Sequence, residues 1–405
     1  MRGVLPGALL GVIAVWTAGA QTPVPAADLP DAAAAFQGAA GPGLRCALEP
    51  AAPEMDFAFR FQAGYTYQLP ASQFERSATW TVLTRITPQA APEPVYLIKT
   101  SDSSQVKEAA DRIEIEGTYL LGVGDYAADS VLTDNSGRTC RQHWRIHAAT
   151  GHGQHEIAMS LPPGAVRPVP GFAASDWQRP AGGALTVIVN AAPLQPNHAH
   201  IDLDDRDTLI CELAAVVGRT PASSVRVIVV SLANRKQIFR ADHFSIDDMD
   251  QVSKAIDAVD LATVNYQALQ DPLGHVKFLA QVINQELSAP APPATLLILG
   301  PISQLGGKPP VGMFNPPAAT RCFYVQEWAF PIQPRFGGES GPGGGRGGRR
   351  GAIGGGPMAS PPGGGISTDR SDPIAAIMSA LKGRTWPVSS PAELAKFLHF
   401  LQEGK

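Results

Sequence analysis

The run His198-Ala199-His200-Ile201-Asp202-Leu203-Asp204-Asp205-Arg206-Asp207 gathers more metal-ligating side chains than any other stretch of this chain. Imidazole nitrogens and carboxylate oxygens bind zinc and other transition-metal dications, so His198, His200 and Asp202 form the candidate ligand set of a metal-dependent hydrolase. The same residues also read as a polar loop entering a helix whose acidic first turn complements the macrodipole. No further ligand stands at a fixed zinc-type spacing, and on that ground no metal is expected here.

Other motifs exclude more than they suggest. Gly306-Gly307-Lys308 superficially resembles a phosphate loop, but the glycine spacing is wrong and Pro309 stands where a hydroxyl should bind magnesium. No Gly-x-Ser-x-Gly elbow occurs, and Gly338-Glu339-Ser340-Gly341 lies in low-complexity sequence with no strand before it. The Arg/Gly run around Arg346, Arg349 and Arg350 lacks the interleaved aromatics of nucleic-acid-binding segments. With a net charge of −4 there is no global basic field either, so nucleic acid is not an expected partner. His152 and His155 read as solvated linker histidines, with a metal pair as the sharper alternative. Phe323, Tyr324, Trp328 and Phe330 read either as strand core or as an aromatic contact patch. No cofactor is expected.

These residues must be positioned by a chain of 405 residues, long enough for two domains with linkers. Gly 41 and Pro 37 against 17% charged residues indicate a loop-rich protein. Arg2, the apolar Val4–Trp16 and Ala18-Gly19-Ala20 make a secretory signal peptide over residues 1–20, so a secreted or periplasmic protein is expected, with no transmembrane helix after cleavage. Residues 21–43 are rich in Ala, Pro and Gly and read as a disordered lead-in. Cys46, Cys140, Cys211 and Cys322 allow three pairings; Cys46 with Cys140 is preferred, and four buried free thiols are the alternative.

Residues 44–148 show short strand patterns separated by turn signals. Phe57, Phe59 and Phe61 alternate on one expected strand, Trp80, Val82 and Ile86 lie on another, and Val95–Ile98 marks a third. Asp134-Asn135-Ser136-Gly137 is a hairpin turn between strands ending at Leu132 and starting at Thr139. The pattern predicts an antiparallel β-sandwich, and Gly124-Asp125-Tyr126 looks like the tyrosine-corner region of immunoglobulin-like (Ig-like) domains. Residues 149–183 read as a linker, with one short strand around Glu156–Leu161.

From residue 184 to 405 apolar strands alternate with helices. Leu185–Asn190, Val225–Val230, Thr295–Leu299 and Cys322–Val325 are buried strands, and Lys236–Arg240 is a hairpin or edge strand. Asp204–Val217 carries the stripe Leu209, Ile210, Leu213, Val216 and Val217, closed by Gly218; later stripes run from Met249 and from Val276. Residues 337–365 form a Gly-rich inserted loop, after which Asp372, Thr385–Val388 and Ser390-Pro391-Ala392-Glu393 supply a helix, an edge strand and a capped final helix. Strands and helices in this alternation predict a doubly wound α/β domain.

The element order over 184–403, with Lys382-Gly383-Arg384-Thr385-Trp386 entering the last strand and Ser390-Pro391-Ala392-Glu393-Leu394 opening the last helix, resembles a von Willebrand factor A (vWA) domain. With the signal peptide, the layout is similar to exported bacterial vWA-related proteins. The resemblance implies a metal-ion-dependent adhesion site, an Asp-x-Ser-x-Ser arrangement aided by a Thr and a later Asp. Here the matching positions are Asn190, Ala192 and Leu194, and Gly300 replaces the later carboxylate. Too few hard oxygen ligands remain for a cation at that place. The expectation is therefore a non-catalytic binding or scaffold protein whose partner is a protein or a cell-envelope polymer. Asn190, Pro193 and Leu194, with Gly300, Pro301 and Ile302 beside them, are the expected contact residues. The metal-dependent hydrolase above and a purely structural envelope spacer remain the competing readings.

Overall fold

The computed structural model describes residues 21–37, 43–73, 79–102, 107–108, 111–151, 154, 157–173, 177, 181–195, 198, 200–261, 270–303, 305–314, 319–328 and 372–403. The signal peptide, the histidine pair His152 and His155, Phe330 and the Gly-rich loop 337–365 lie outside them. The chain divides into two compact units: residues 1–54, 60–150 and 161–171 in the first, and 55–59, 151–160 and 172–405 in the second.

The first unit contains β1 (Thr22–Pro23), helix α1 (Leu29–Gln37), β2 (Ala47–Met55), β3 (Phe61–Pro70), β4 (Thr79–Pro88), β5 (Val95–Asp102), β6 (Lys107–Glu108), β7 (Arg112–Leu121), β8 (Gly124–Asp134), β9 (Thr139–Ala148) and β10 (Val166–Pro168). One sheet runs β1-β5-β4-β8-β9 and the other β10-β7-β3-β2, with β6 added beside β7. The alternation of β4 and β7 places every second residue in the interior. Tyr65 of β3 stacks edge-on against Trp144 of β9, and its hydroxyl accepts from Thr84 of β4 at 3.1 Å. Tyr67 is hydrogen-bonded to Ser130 of β8. The two sheets thus enclose one aromatic core, as a β-sandwich requires. Tyr126 donates its hydroxyl proton to Gly122 O at 2.8 Å, a bond back to the chain just upstream. Cys46 and Cys140 are joined in a disulfide across 94 residues, while Cys211 and Cys322 take part in no disulfide.

Three expectations are corrected here. Residues 21–37 are ordered: β1 pairs with β5, and the buried Gln21 amide donates to Tyr65 and Thr84. A segment poor in large apolar residues is held by hydrogen bonds that composition does not register. Val166–Pro168, inside the expected linker, pairs with β7. The Phe57/Phe59/Phe61 alternation is not one strand face: Phe59 donates its N–H to Asp56 O at 3.0 Å and adopts φ 59°, so the chain turns and β3 begins only at Phe61. Met55–Phe59 packs within the second unit, where the Arg219 guanidinium lies 4.1 Å over the Phe59 ring.

The second unit is built on β11 (Ala184–Asn190), α2 (Leu203–Arg219), β12 (Ser224–Ser231), β13 (Lys236–Ala241), α3 (Met249–Asp257), α4 (Gly274–Leu287), β14 (Thr295–Pro301), β15 (Arg321–Glu327), α5 (Pro373–Ala380), β16 (Arg384–Val388) and α6 (Pro391–Gln402). Its sheet has the order β13-β12-β11-β14-β15-β16. All neighbours are parallel except the edge strand β13, which is antiparallel to β12. Strands β11 and β14 are buried along nearly their whole length, which is why they read as unbroken apolar runs. Ile188, Ile228 and Ile298 share one core with Val276, Leu279 and Ile283 of α4 and Ile374 and Ile377 of α5.

Helix α2 starts where Asp202, in extended conformation, accepts the Asp205 N–H at 2.8 Å. It runs past Gly218 and ends at Thr220, whose extended backbone is the one a following proline favours. At α6, Ser390 caps and Pro391 occupies the first turn as expected. The Glu393 carboxylate, however, reaches back to the N–H and hydroxyl of Ser389, not to the cap residue's own amide.

Candidate functional site

Because β11, β12, β14, β15 and β16 are parallel, their C-terminal ends lie along one edge of the sheet, and α2 begins at that edge. Loops leaving strand ends of this kind are where α/β sheets bind ligands. Asn190 ends β11 and Gly300 lies near the end of β14. Gly300 adopts φ +144°, and a Cβ there would stand 2.8 Å from Asn190 O and 3.1 Å from Asn190 Cβ, so only glycine lets the two strand ends close together.

The structure brings Asn190, Gly300 and Pro301 together but buries all three, so they carry no direct contact with a partner. Pro193, Leu194 and Ile302 are half-buried at the same edge. Three large apolar side chains that the sequence did not single out for contact as a group are exposed at this edge: Leu203 at the start of α2, Leu305 after β14, and Trp328 after β15. Of the aromatic patch, Phe323 and Tyr324 are core residues and Trp328 alone is exposed among the described ones.

At the adhesion-site position the donors present do not suit a hard cation. Asn190 offers one buried amide oxygen without a hydrogen-bond partner, and Ala192, Leu194 and Gly300 offer no side-chain oxygen.

The His/Asp run gives a different result. Ligand atoms of His198, Asp202 and Asp205 all lie within 4.8 Å of one another. His200 stacks on His198 with ring centroids 6.2 Å apart but is not part of that set; Asp205, which sequence reasoning left in the helix's first turn, is. His198 is exposed, Asp202 is half-buried, and Asp205 is buried with neither carboxylate oxygen hydrogen-bonded in good geometry. Burial, with repulsion from Asp202, pushes the Asp205 carboxyl up to about 6, while nearby backbone N–H groups and His198 act in the opposite sense. Arg206 does not neutralise it, because its guanidinium pairs with Asp207 at 2.7 Å and with Asp257 at 2.9 Å.

Two further carboxyl groups stand deeper. Glu212, two turns along α2, is fully buried with both oxygens unpartnered, and Glu327, the last residue of β15, is buried with Oε2 unpartnered. Burial raises Glu212 to about 8. It raises Glu327 well above the ordinary carboxylate range, and the charges of Glu212 and Asp205 push in the same direction. Glu286 of α4 is the contrast: equally buried, it accepts from Arg226 at 2.5 Å and from Arg240 at 2.9 Å. Its environment is that of a satisfied structural ion pair; the environment of Glu212 and Glu327 is not.

The first unit has a polar concavity of about 240 Å³ lined by Phe36, Arg85, Asp129, Gln142 and His143 among others. Its charges are matched internally, with Asp129 accepting from Arg85 at 2.8 Å and sharing a 2.8 Å contact with His143.

No protein-family profile matches the chain, and no curated protein matches it. Solved structures with partial likeness include a lipoprotein from Bacteroides thetaiotaomicron at 5% identity and TM-score 0.15, covering 30% of this chain and 93% of that one. A multi-modular cell-surface chitinase from a Paenibacillus species is 9% identical with TM-score 0.18, covering 67% of this chain and 18% of that one. A Bacteroides uniformis beta-glucuronidase is 6% identical with TM-score 0.17, covering 70% of this chain and 36% of that one. At such scores the likenesses carry no argument about fold or activity.

Proposed function

We propose that the protein is an exported, non-catalytic binding or scaffold protein. In this reading an Ig-like sandwich accompanies a vWA-like domain that has lost its metal-ion-dependent adhesion site, and the second unit meets its partner through the strand-end edge. The sheet order, which numbers 3-2-1-4-5-6 from β11 as the first strand, supports a doubly wound fold. The antiparallel edge strand β13 and the closing α5–β16–α6 sequence support the vWA-like reading. The Cys46–Cys140 disulfide supports an oxidising, non-cytoplasmic compartment. No helix among the described residues is long and apolar enough to cross a membrane.

The observation that carries the binding role is the exposure of Leu203, Leu305 and Trp328 at one edge of the sheet. Water-exposed apolar groups collected on one face are costly unless something covers them. A protein surface or an envelope polymer with apolar faces supplies that cover.

The test is capture by the immobilised full chain from its native envelope fraction. Leu194→Asp and Trp328→Asp are compared with Leu29→Asp, which alters an exposed apolar residue of the first unit. A component held by the parent and by Leu29→Asp but lost from both edge variants, with circular dichroism unchanged, supports the reading. Equal retention by the edge variants removes this face from consideration.

A further inference from the structure

The contact reading leaves three buried carboxyl groups without a purpose. A protein that satisfies Glu286 with two arginines has the means to neutralise a buried acid, yet among the described residues Asp205, Glu212 and Glu327 meet no such partner. Buried carboxylate oxygens without an oppositely charged partner are costly to ionise, and a bound cation is one way to relieve that cost at Asp205. Asp205 is the member that connects inside to outside. Its carboxylate is buried, yet it shares its 4.8 Å neighbourhood with the exposed imidazole of His198 and with Asp202 at the mouth of α2.

We propose that His198, Asp202 and Asp205 bind a zinc-type divalent cation. One imidazole nitrogen with two carboxylates is the donor mixture of borderline dications such as zinc, whereas calcium and magnesium prefer oxygen alone. The donors stand wider than zinc holds them, so binding draws the exposed His198 ring toward the two carboxylates. Asp202 keeps one oxygen on the Asp205 N–H, which fixes the carboxylate as an outer-shell bond fixes a metal ligand. Three protein donors leave at least one coordination position for water or for an oxygen of a ligand. This site uses other side chains than the Asn190, Ala192 and Leu194 position, which it adjoins where the Leu194 backbone N–H faces Asp205, and it does not depend on the contact reading.

The test is calorimetric titration of zinc chloride into the full chain after chelator treatment and dialysis, with calcium chloride as the comparison. One zinc per chain is expected, with calcium binding at least about tenfold more weakly. His198→Ala, at an exposed position that does not threaten folding, weakens zinc binding by more than the tenfold or so typical of an outer-shell change, and Asp205→Asn removes it. His143→Ala, which alters an exposed imidazole of the first unit, leaves the affinity unchanged. No stoichiometric zinc binding overturns the proposal, and so does binding that survives both His198→Ala and Asp205→Asn. Neither result bears on capture by the edge variants, so the two readings fail separately.

Discussion

Glu212 of α2 and Glu327 at the end of β15 are buried carboxyl groups close enough that charge on Glu212 disfavours charge on Glu327, and among the described residues neither forms an ion pair with an arginine or lysine. A pair of this kind makes the unit's stability depend on pH in a defined direction.

Both groups have folded-state values raised above the ordinary carboxylate range, so their contribution is complete below that range and is lost as pH rises through the raised values. Asp205 lies at about 6 and Glu212 at about 8, which sets the window from weakly acid to weakly alkaline. At about 1.4 kcal/mol per pH unit of displacement, the loss is on the order of several kcal/mol. In chelator-containing buffer, urea midpoints of the second unit should fall across that window, and Glu212→Gln should flatten the fall. A profile that rises with pH, or one that Glu212→Gln leaves unchanged, contradicts the assignment.

These carboxylates were legible in the sequence only in hindsight. Asp205, Leu209, Glu212 and Val216 recur at helical spacing on one stripe, so the two acids interrupt an apolar face and do not extend the solvated one. A charged residue is ordinarily read as exposed, and that habit hid them. The strands of the second unit were legible because burial on both faces leaves unbroken runs such as Leu185–Val189. The segment 21–37 was not, because its order rests on Gln21, Tyr65 and Thr84, residues far apart in sequence. Nor was the turn at Phe59, where a period of two in aromatics coincides with a backbone reversal.

Glu286 provides the opposite case from Glu212. Glu286→Gln removes the buried negative charge that Arg226 and Arg240 both meet, leaving them Asp242 as a shared carboxylate, and should destabilise the second unit by on the order of 3 kcal/mol. Chemical denaturation at neutral pH checks the sign: Glu286→Gln lowers the midpoint, while Glu212→Gln in chelator raises it.

Closing a long loop, the Cys46–Cys140 disulfide should stabilise the first unit by about 2–5 kcal/mol. Cys140→Ala, or mild reduction, should lower the first unit's thermal transition and leave that of the second unit in place.

Gly300 should tolerate no side chain. With φ +144° and Asn190 O 2.8 Å from the site of a Cβ, Gly300→Ala should cost about 1–3 kcal/mol and spread the ends of β11 and β14. Accelerated amide exchange at Asn190 and Ala191 would report that spreading.

The working face itself is tested most directly by hydrogen exchange of the full chain with and without the envelope component it captures. The account predicts slowed exchange around Leu194, Leu305 and Trp328, with the strands of the first unit unchanged. Slowed exchange confined to the first unit, with the strand-end loops of the second unit exchanging as before, would contradict it.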